Sequence, residues 1–307
     1  MIDYRYILEP YNGMKTRYHC PNCNKKGVFT KYIDNQTNEH LNDVVGICNR
    51  LIKCGYHYTP KRYFNDNNYS FDKWNNSEIT VIKKPKKEIT PSFVNVEVLK
   101  KSFETKQPNY FIDYLASIWD YEIAYYLADK YNIGTSKYWQ GATVFWQVDL
   151  NGNIRSGKIM LYDASNGKRI KKPYNHINWV HRVLKLDNFN LEQCYFGEHL
   201  LNEDSGKPVA IVESEKTAII CSIYLPEFIW LACGSANNLN EVKTKVLKGR
   251  NVVLFPDLGC FDLWNNKIEN LTNLATFRTS TLLETKATET EKRQGLDIAD
   301  YLTKIKI

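Results

Sequence analysis

The chain has 307 residues, enough for two domains or for one domain with a small module. Its hydrophobic fraction of 43% is that of a soluble globular protein with a core, which excludes a disordered chain. Lys and Arg number 41 against 34 acids, so the net charge of +7 permits a polyanionic partner without requiring one, and no apolar run approaches membrane-spanning length.

The first residues, Met1-Ile-Asp-Tyr-Arg-Tyr, lack the basic-then-apolar pattern of a signal peptide. A cytoplasmic chain is therefore expected, in which the eight cysteines read as metal ligands or buried thiols rather than disulfides. Cys20-Pro-Asn-Cys23 forms a tight knuckle, because Pro and Asn suit a turn that aims both sulfurs at one ion. Cys48 and Cys54 make a wider second pair, with Gly55 supplying turn freedom, and Val28-Phe-Thr-Lys-Tyr-Ile33 between the pairs alternates like a strand. Two knuckles bridged by strands predict a zinc ribbon over 1–64, with His57 or His19 as possible substitutes for Cys54. Arg17, Lys25, Lys26, Arg50, Lys53, Lys61 and Arg62 would lie on the ribbon, where they could track a nucleic-acid backbone.

Residues 65–92 read as a linker, Asn-rich at first and then basic at Lys83-Lys-Pro-Lys-Lys87. An α+β segment over 93–205 follows. Tyr110-Phe-Ile-Asp-Tyr-Leu115 and Tyr121 to Tyr131 have helical spacing, with their Tyr and Leu residues expected in the core and Asn132-Ile-Gly134 as the stop. Thr143-Val-Phe-Trp-Gln-Val148 and Ile154 to Tyr162 read as strands joined through Asp149-Leu-Asn-Gly152, and Asp163 to Arg169 is a second Asn-Gly turn. Arg155, Lys158, Lys168, Arg169, Lys171 and Lys172 cluster around these turns and are candidates for phosphate contacts, as is Lys216 further on.

Over 206–307, apolar strands at Val209-Ala-Ile-Val212, Phe228-Ile-Trp-Leu-Ala232, Asn251-Val-Val-Leu-Phe255 and Leu274-Ala-Thr-Phe-Arg278 alternate with helical spacers, which predicts a covered parallel sheet. Glu213 ends the first strand where a helix begins, and Asp257 follows the third. If those strands are neighbours, the two carboxylates reach the crevice in which open α/β sheets bind ligands. Hard oxygen ligands facing phosphate suit Mg²⁺ or Mn²⁺, and Glu213 could alternatively act as a general acid or base. Residues 279–293 are polar and charged and read as a mobile loop, and Asp297 with Asp300 fits a helix cap.

The stretch Val209 to Tyr224, with its Glu213-Ser-Glu-Lys216 turn, resembles the first motif of the toprim domain of bacterial-type primases, topoisomerases and some nucleases, and is closest to the phage and plasmid primase branch. Ser214 stands where that family often has Gly. Gly295-Leu-Asp297-Ile-Ala-Asp300 resembles the segment closing such domains. The helices of 110–134, the hairpins of 143–169 and Cys194-Tyr-Phe-Gly-Glu-His199 resemble the primase core and hinge, in the primase order. Two departures stand out: four Cys rather than a set including His, and Gly259 where the second Asp of an Asp-x-Asp motif belongs, with Asp262 three residues on. The resemblance implies a primase-like protein of a phage, plasmid or other mobile element. Its site would comprise catalytic Glu213 and Asp257, with Asp297 and Asp300 as further magnesium ligands. Its partners would be single-stranded DNA, nucleoside triphosphates and a replicative helicase or relaxase. A degenerate toprim that only binds DNA or a replication partner, and a metal-dependent nuclease, are the alternatives. No Gly-x-x-x-x-Gly-Lys-Ser/Thr loop is present, so no fused P-loop helicase is expected.

Overall fold

Four short strands build the first of two structural units, residues 1–87. The computed structural model describes residues 5–51, 53–67, 90–269 and 271–305. Strands β1 (Tyr6–Leu8), β2 (Phe29–Asp34), β3 (Gly46–Cys48) and β4 (His57–Tyr58) form one antiparallel sheet in chain order. Helix α1 (Pro60–Asp66) follows, its first turn prepared by Pro60 and by Thr59, whose side chain accepts from the Arg62 amide. The helix thus extends into the start of the expected linker, and 68–89, with the basic run at 83–87, lie outside the described residues. The ribbon's buried apolar cluster holds only Cys20, Phe29 and Cys48, far less than a stable domain needs from burial alone.

The second unit, residues 88–307, opens with α2 (Val96–Phe103), α3 (Tyr110–Ile118) and α4 (Tyr121–Lys130), capped by Asn95, Asn109 and Asp120. Asn109 also binds the next elements: its Nδ2 donates to Gly134 O and its Oδ1 accepts from Thr143 Oγ1. Only part of the expected tyrosine and leucine core is buried. Leu115, Leu127 and Tyr131 are inside, whereas Tyr121, Tyr125 and Tyr126 are exposed, because α4 packs through its Ala124, Leu127 and Ala128 stripe. The helix stop is Asn132, at φ 52°, and Ile133 and Gly134 already belong to the next strand.

A four-stranded antiparallel meander follows: β5 (Ile133–Ser136), β6 (Ala142–Val148), β7 (Ile154–Met160) and β8 (Ile177–Trp179), with α5 (Val180–Val183) after it. All seven residues of β6 are buried. Ala142, Val144, Trp146 and Val148 share a core with α2 and α5, while Phe145 on the opposite face joins the main core.

The remaining strands, β9 (Val209–Val212), β10 (Ile229–Ala232), β11 (Asn251–Leu254) and β12 (Thr276–Thr279), form a parallel sheet in the order β10-β9-β11-β12. Its connections carry α6 (Glu215–Tyr224), α7 (Glu241–Thr244) and α8 (Phe261–Ile268). After β12 come α9 (Leu282–Lys286), α10 (Glu289–Gln294) and α11 (Ile298–Leu302), the last packed on α6. Residues 279–293, read as a loop, therefore contain two short helices; Thr288 and Glu291 form a capping box on α10. One apolar core runs from Phe111 to Ala299 through both sheets.

A buried ion pair joins the sheets. Lys158 Nζ on β7 lies 3.0 and 3.1 Å from the two carboxylate oxygens of Glu215 on α6, with side-chain exposures of 11% and 2%. Removing one partner leaves the other charge buried, so Lys158→Met is expected to destabilise the second unit by about 3–5 kcal/mol. The double variant Lys158→Met/Glu215→Leu should recover most of that loss. Urea midpoints of the two variants and the wild type measure both effects.

Candidate functional site

The switch in chain direction across the parallel sheet sets the location. From β9 the chain crosses to β10 on one side, and from β11 it crosses to β12 on the other, so a crevice opens at the carboxyl ends of β9 and β11. Val252 pairs with Val209 and Leu254 with Ile211; continuing that register past the ladder sets Glu213 level with Pro256, one residue before Asp257. Both acids are half-buried at this rim.

Burial, then the negative charges of Asp297, Glu213 and Asp300, push the Asp257 carboxyl up to about 8, against the opposing pull of Lys216. Glu213 is also raised, chiefly by burial, while Arg169 and Lys158 hold it back. Asp297 is raised by burial and by Asp300, and lowered by the hydroxyl of Thr217. The acids from β9, β11 and α11 thus meet in one field, and Lys158, Arg169 and Lys216 face it. Glu215, the other acid of the Glu-Ser-Glu run, is consumed by Lys158.

Asp297 and Asp300 do cap a helix. Asp297 Oδ1 accepts from the Asp300 amide, and Asp300 Oδ2 accepts from the Asp297 amide. Asp297 Oδ2 also accepts from Thr217 Oγ1 at 2.6 Å, a bond between residues eighty positions apart that locks α11 to the start of α6. Sequence reasoning passed over Thr217. Its one signal was the Ser214-x-x-Thr217 cap, in which Ser214 Oγ accepts from the Thr217 amide. Lys243 was also missed. It is buried on α7 and donates to the Cys233 carbonyl at 3.2 Å, just past the end of β10, with its pKa lowered by burial.

The expected phosphate contacts separate into two kinds. Lys168, Arg169, Lys171 and Lys172 are exposed, and Lys216 is half-buried. Arg155 differs from the expectation. Its Nε donates to Asp149 of its own hairpin at 2.7 Å and its NH1 donates to Glu192, far along the chain, at 3.2 Å, so its charge is engaged within the protein. Asp262 does not replace the acid missing at 259, since it is exposed in the first turn of α8.

In the first unit the four thiols converge. Among the described residues, Cys20, Cys23, Cys48 and Cys54 are the one group of three or more potential ligand side chains gathered closely enough to hold an ion, all within 4.8 Å of one another. Cys20 Sγ lies 3.7 Å from Cys54 Sγ, and Cys23 Sγ 4.0 Å from Cys48 Sγ. Four sulfurs about 2.3 Å from a tetrahedral zinc stand about 3.8 Å apart, so the residues fit the ion. The Tyr56 amide holds the Cys54 thiol down to about 6, whereas burial raises Cys48 to about 12. Neither histidine joins the set: His19 is exposed, and His57 lies stacked on Tyr32. Among the described residues the acids around Asp257 do not gather as closely, and two of them, Asp297 and Asp300, are engaged in a helix cap.

Comparison with protein families matches residues 4–69 to a zinc beta-ribbon finger and residues 109–258 to a domain of unknown function, DUF6371. The second span runs from the cap of α3 to just past Asp257, so it takes in Glu213 and Asp257 but not Asp297. A search of curated proteins gives no match. Among solved structures, the chain is similar to the crystal structure of the primase fragment of the bacteriophage T7 primase-helicase protein, at 11% identity and a TM-score of 0.33, covering 91% of this chain and 98% of that one. Among the described residues no helix is long and apolar enough to cross a membrane.

Two outcomes are expected. Strong chelation should release zinc and abolish the ribbon's fold, because binding at such a site supplies about 10–16 kcal/mol that its small core does not; a colorimetric zinc assay read beside circular dichroism checks this. The second outcome concerns Asp257. Its folded value of about 8 lies above the ordinary 3.8, so its contribution to stability is complete below about pH 4 and is lost as pH rises through about 8. The wild type without added Mg²⁺ should therefore show a urea midpoint that falls from about pH 5 to about pH 9, and Asp257→Asn should flatten that fall.

Proposed function

We propose that the second unit is a primase-like module that joins nucleotides on a single-stranded DNA template, with Mg²⁺ or Mn²⁺ held at the β9–β11 crevice, and that the zinc ribbon serves it as a DNA-contacting accessory. The observation that carries this reading is the raised proton affinity of Asp257, set by burial and by three acids from two segments, Glu213 after β9 and Asp297 with Asp300 in the cap of α11. A divalent cation relieves that crowding, and Glu213, Asp257 and Asp297 are the groups that would hold it. When bound, it would stabilise charge on the transferring phosphoryl group and lower the pKa of the attacking hydroxyl.

The chain's own groups suit the remaining tasks. Lys216 and Arg169 set positive charge against the acids, where a triphosphate would need it, while Lys158 is held by Glu215. In the reaction, a 3′-oxygen bonds to the α-phosphorus of the next nucleotide and pyrophosphate departs. As the alternative to holding the cation, Glu213, whose pKa burial raises, would accept the hydroxyl proton.

Gly259 favours a second reading. It sits at φ 84°, a backbone region that an aspartate adopts only with strain, so the loop after β11 is built without the second acid of the family motif. On this reading the crevice is a degenerate site and the chain only binds DNA or a replication partner.

Template-dependent incorporation of labelled nucleotides on single-stranded DNA with Mg²⁺ separates the two. Joining predicts synthesis by the wild type and a loss of about 10²-fold or more in Glu213→Gln and in Asp257→Asn. No product from the wild type, together with retained salt-sensitive DNA binding and no Mg²⁺ binding by calorimetry, would establish the binding-only reading.

A further inference from the structure

Exposed aromatic side chains of the second unit include the stacked Tyr121 and Tyr125 of α4 and, apart from them, a row of four rings. In the loop between β7 and β8, Tyr174 stacks on His176 with ring centroids 4.4 Å apart and planes at 25°. His176 meets Trp139 edge-on at 5.1 Å, and Trp139 meets Tyr138 edge-on at 4.6 Å. The outer members, Tyr174 and Tyr138, are 55% and 47% exposed. Trp139 is half-buried against the core shared by α2 and the meander, which gives the row a fixed base.

The row is also held by its backbone. His176 N donates to Ile170 O, Ile170 N to Leu161 O, and Leu161 N to His176 O, which closes the loop at 170–176. On the other side, the Tyr138 amide donates to Ser136 Oγ and Ala142 N donates to Trp139 O. Rings held in this way lose little freedom when a ligand is placed on them.

Charge completes the surface. Residues 164–186 contain no Asp or Glu and six Lys or Arg. Lys168, Arg169, Lys171 and Lys172 are exposed, and among the described residues none of the four forms an ion pair. Arg169 acts on Glu213, so the same loop runs from the acid crevice to the aromatic row. The five residues from Arg169 to Tyr174 reach at most about 17 Å along the chain.

We propose that the Tyr174–His176–Trp139–Tyr138 row is a stacking platform for the unpaired bases of a single nucleic-acid strand, with Lys171 and Lys172 at the loop tip holding its phosphates. Stacking accepts any base, and cations beside the rings follow the backbone, which is the chemistry of sequence-tolerant single-strand binding. The platform takes its nucleic-acid partner from the function proposed above, but it needs neither the metal nor nucleotide joining.

The test is fluorescence anisotropy of the full chain with an end-labelled oligothymidylate, without Mg²⁺ or nucleoside triphosphates. Tyr174→Ala is expected to weaken binding about 5- to 150-fold, Tyr174→Phe to retain it, and Tyr138→Ala to weaken it by a similar factor. An abasic strand with the same phosphates should bind the wild type about as weakly as oligothymidylate binds Tyr174→Ala. Lys171→Ala/Lys172→Ala should flatten the salt dependence by roughly 1.4 in slope. Because Tyr174 is exposed, its substitution should leave the urea midpoint unchanged, which separates lost binding from lost fold. Equal affinity of Tyr174→Ala and wild type, equal affinity for the abasic strand, or a preference for duplex would each overturn the platform. Base-dependent binding without any synthesis would sink the joining reaction and leave the platform standing; synthesis unaffected by Tyr174→Ala would do the reverse.

Discussion

The Lys158–Glu215 pair decides how the second unit is used. A lysine on the meander and a glutamate at the first turn of α6 are both out of water, and each is tolerable only because the other is there. Their contact fixes the meander against the carboxyl rim of the parallel sheet, and so the loop leaving β7 carries Arg169 to Glu213. It also divides the crevice's acids into two kinds. Glu215 is neutralised by its partner, while Glu213 and Asp257 keep a raised affinity for protons.

The first unit meets a different constraint. Its apolar cluster is too small to hold a sheet of strands only two to six residues long, and sulfur geometry makes up the difference. The thiols come from a knuckle before β2, from the end of β3 and from the turn before β4, so an ion bound among them fastens both ends of the ribbon at once. The Lys25 amide, and to a smaller extent Arg50, lower the Cys23 thiol from its ordinary value, which relates two of the expected surface cations to the metal site.

Local patterns in the sequence carried far. Cys-Pro-Asn-Cys is a turn whose geometry is fixed within four residues. A run of Val-Ala-Ile-Val ending in an acid and a capped helix is a strand-to-helix corner, and that corner with its third-strand counterpart located the crevice. What stayed hidden depends on partners far away in the chain. Arg155 looked free because Asp149 and Glu192 approach it only once the hairpin has closed. The tyrosines of α4 looked like core because helical spacing gives a face but not its direction; Ala124 and Leu127 turn inward and leave Tyr121 and Tyr125 outside. The same limit hid the aromatic row. Trp139 and Tyr174 are thirty-five positions apart, and composition alone does not say which rings of an aromatic-rich chain remain at the surface.

The missing acid at 259 bears on how the crevice should be understood. Leu258 N donates to Leu296 O, so the loop after β11 is bonded to the segment just ahead of Asp297. After burial, Asp297 is the strongest influence on the Asp257 carboxyl, ahead of Glu213. Negative charge thus reaches Asp257 from another chain segment, the cap of α11. Both Asp297 oxygens already accept one hydrogen bond, from Thr217 and from the Asp300 amide, yet each carboxylate oxygen has a second lone pair to give. Thr217 therefore orients this acid without exhausting it.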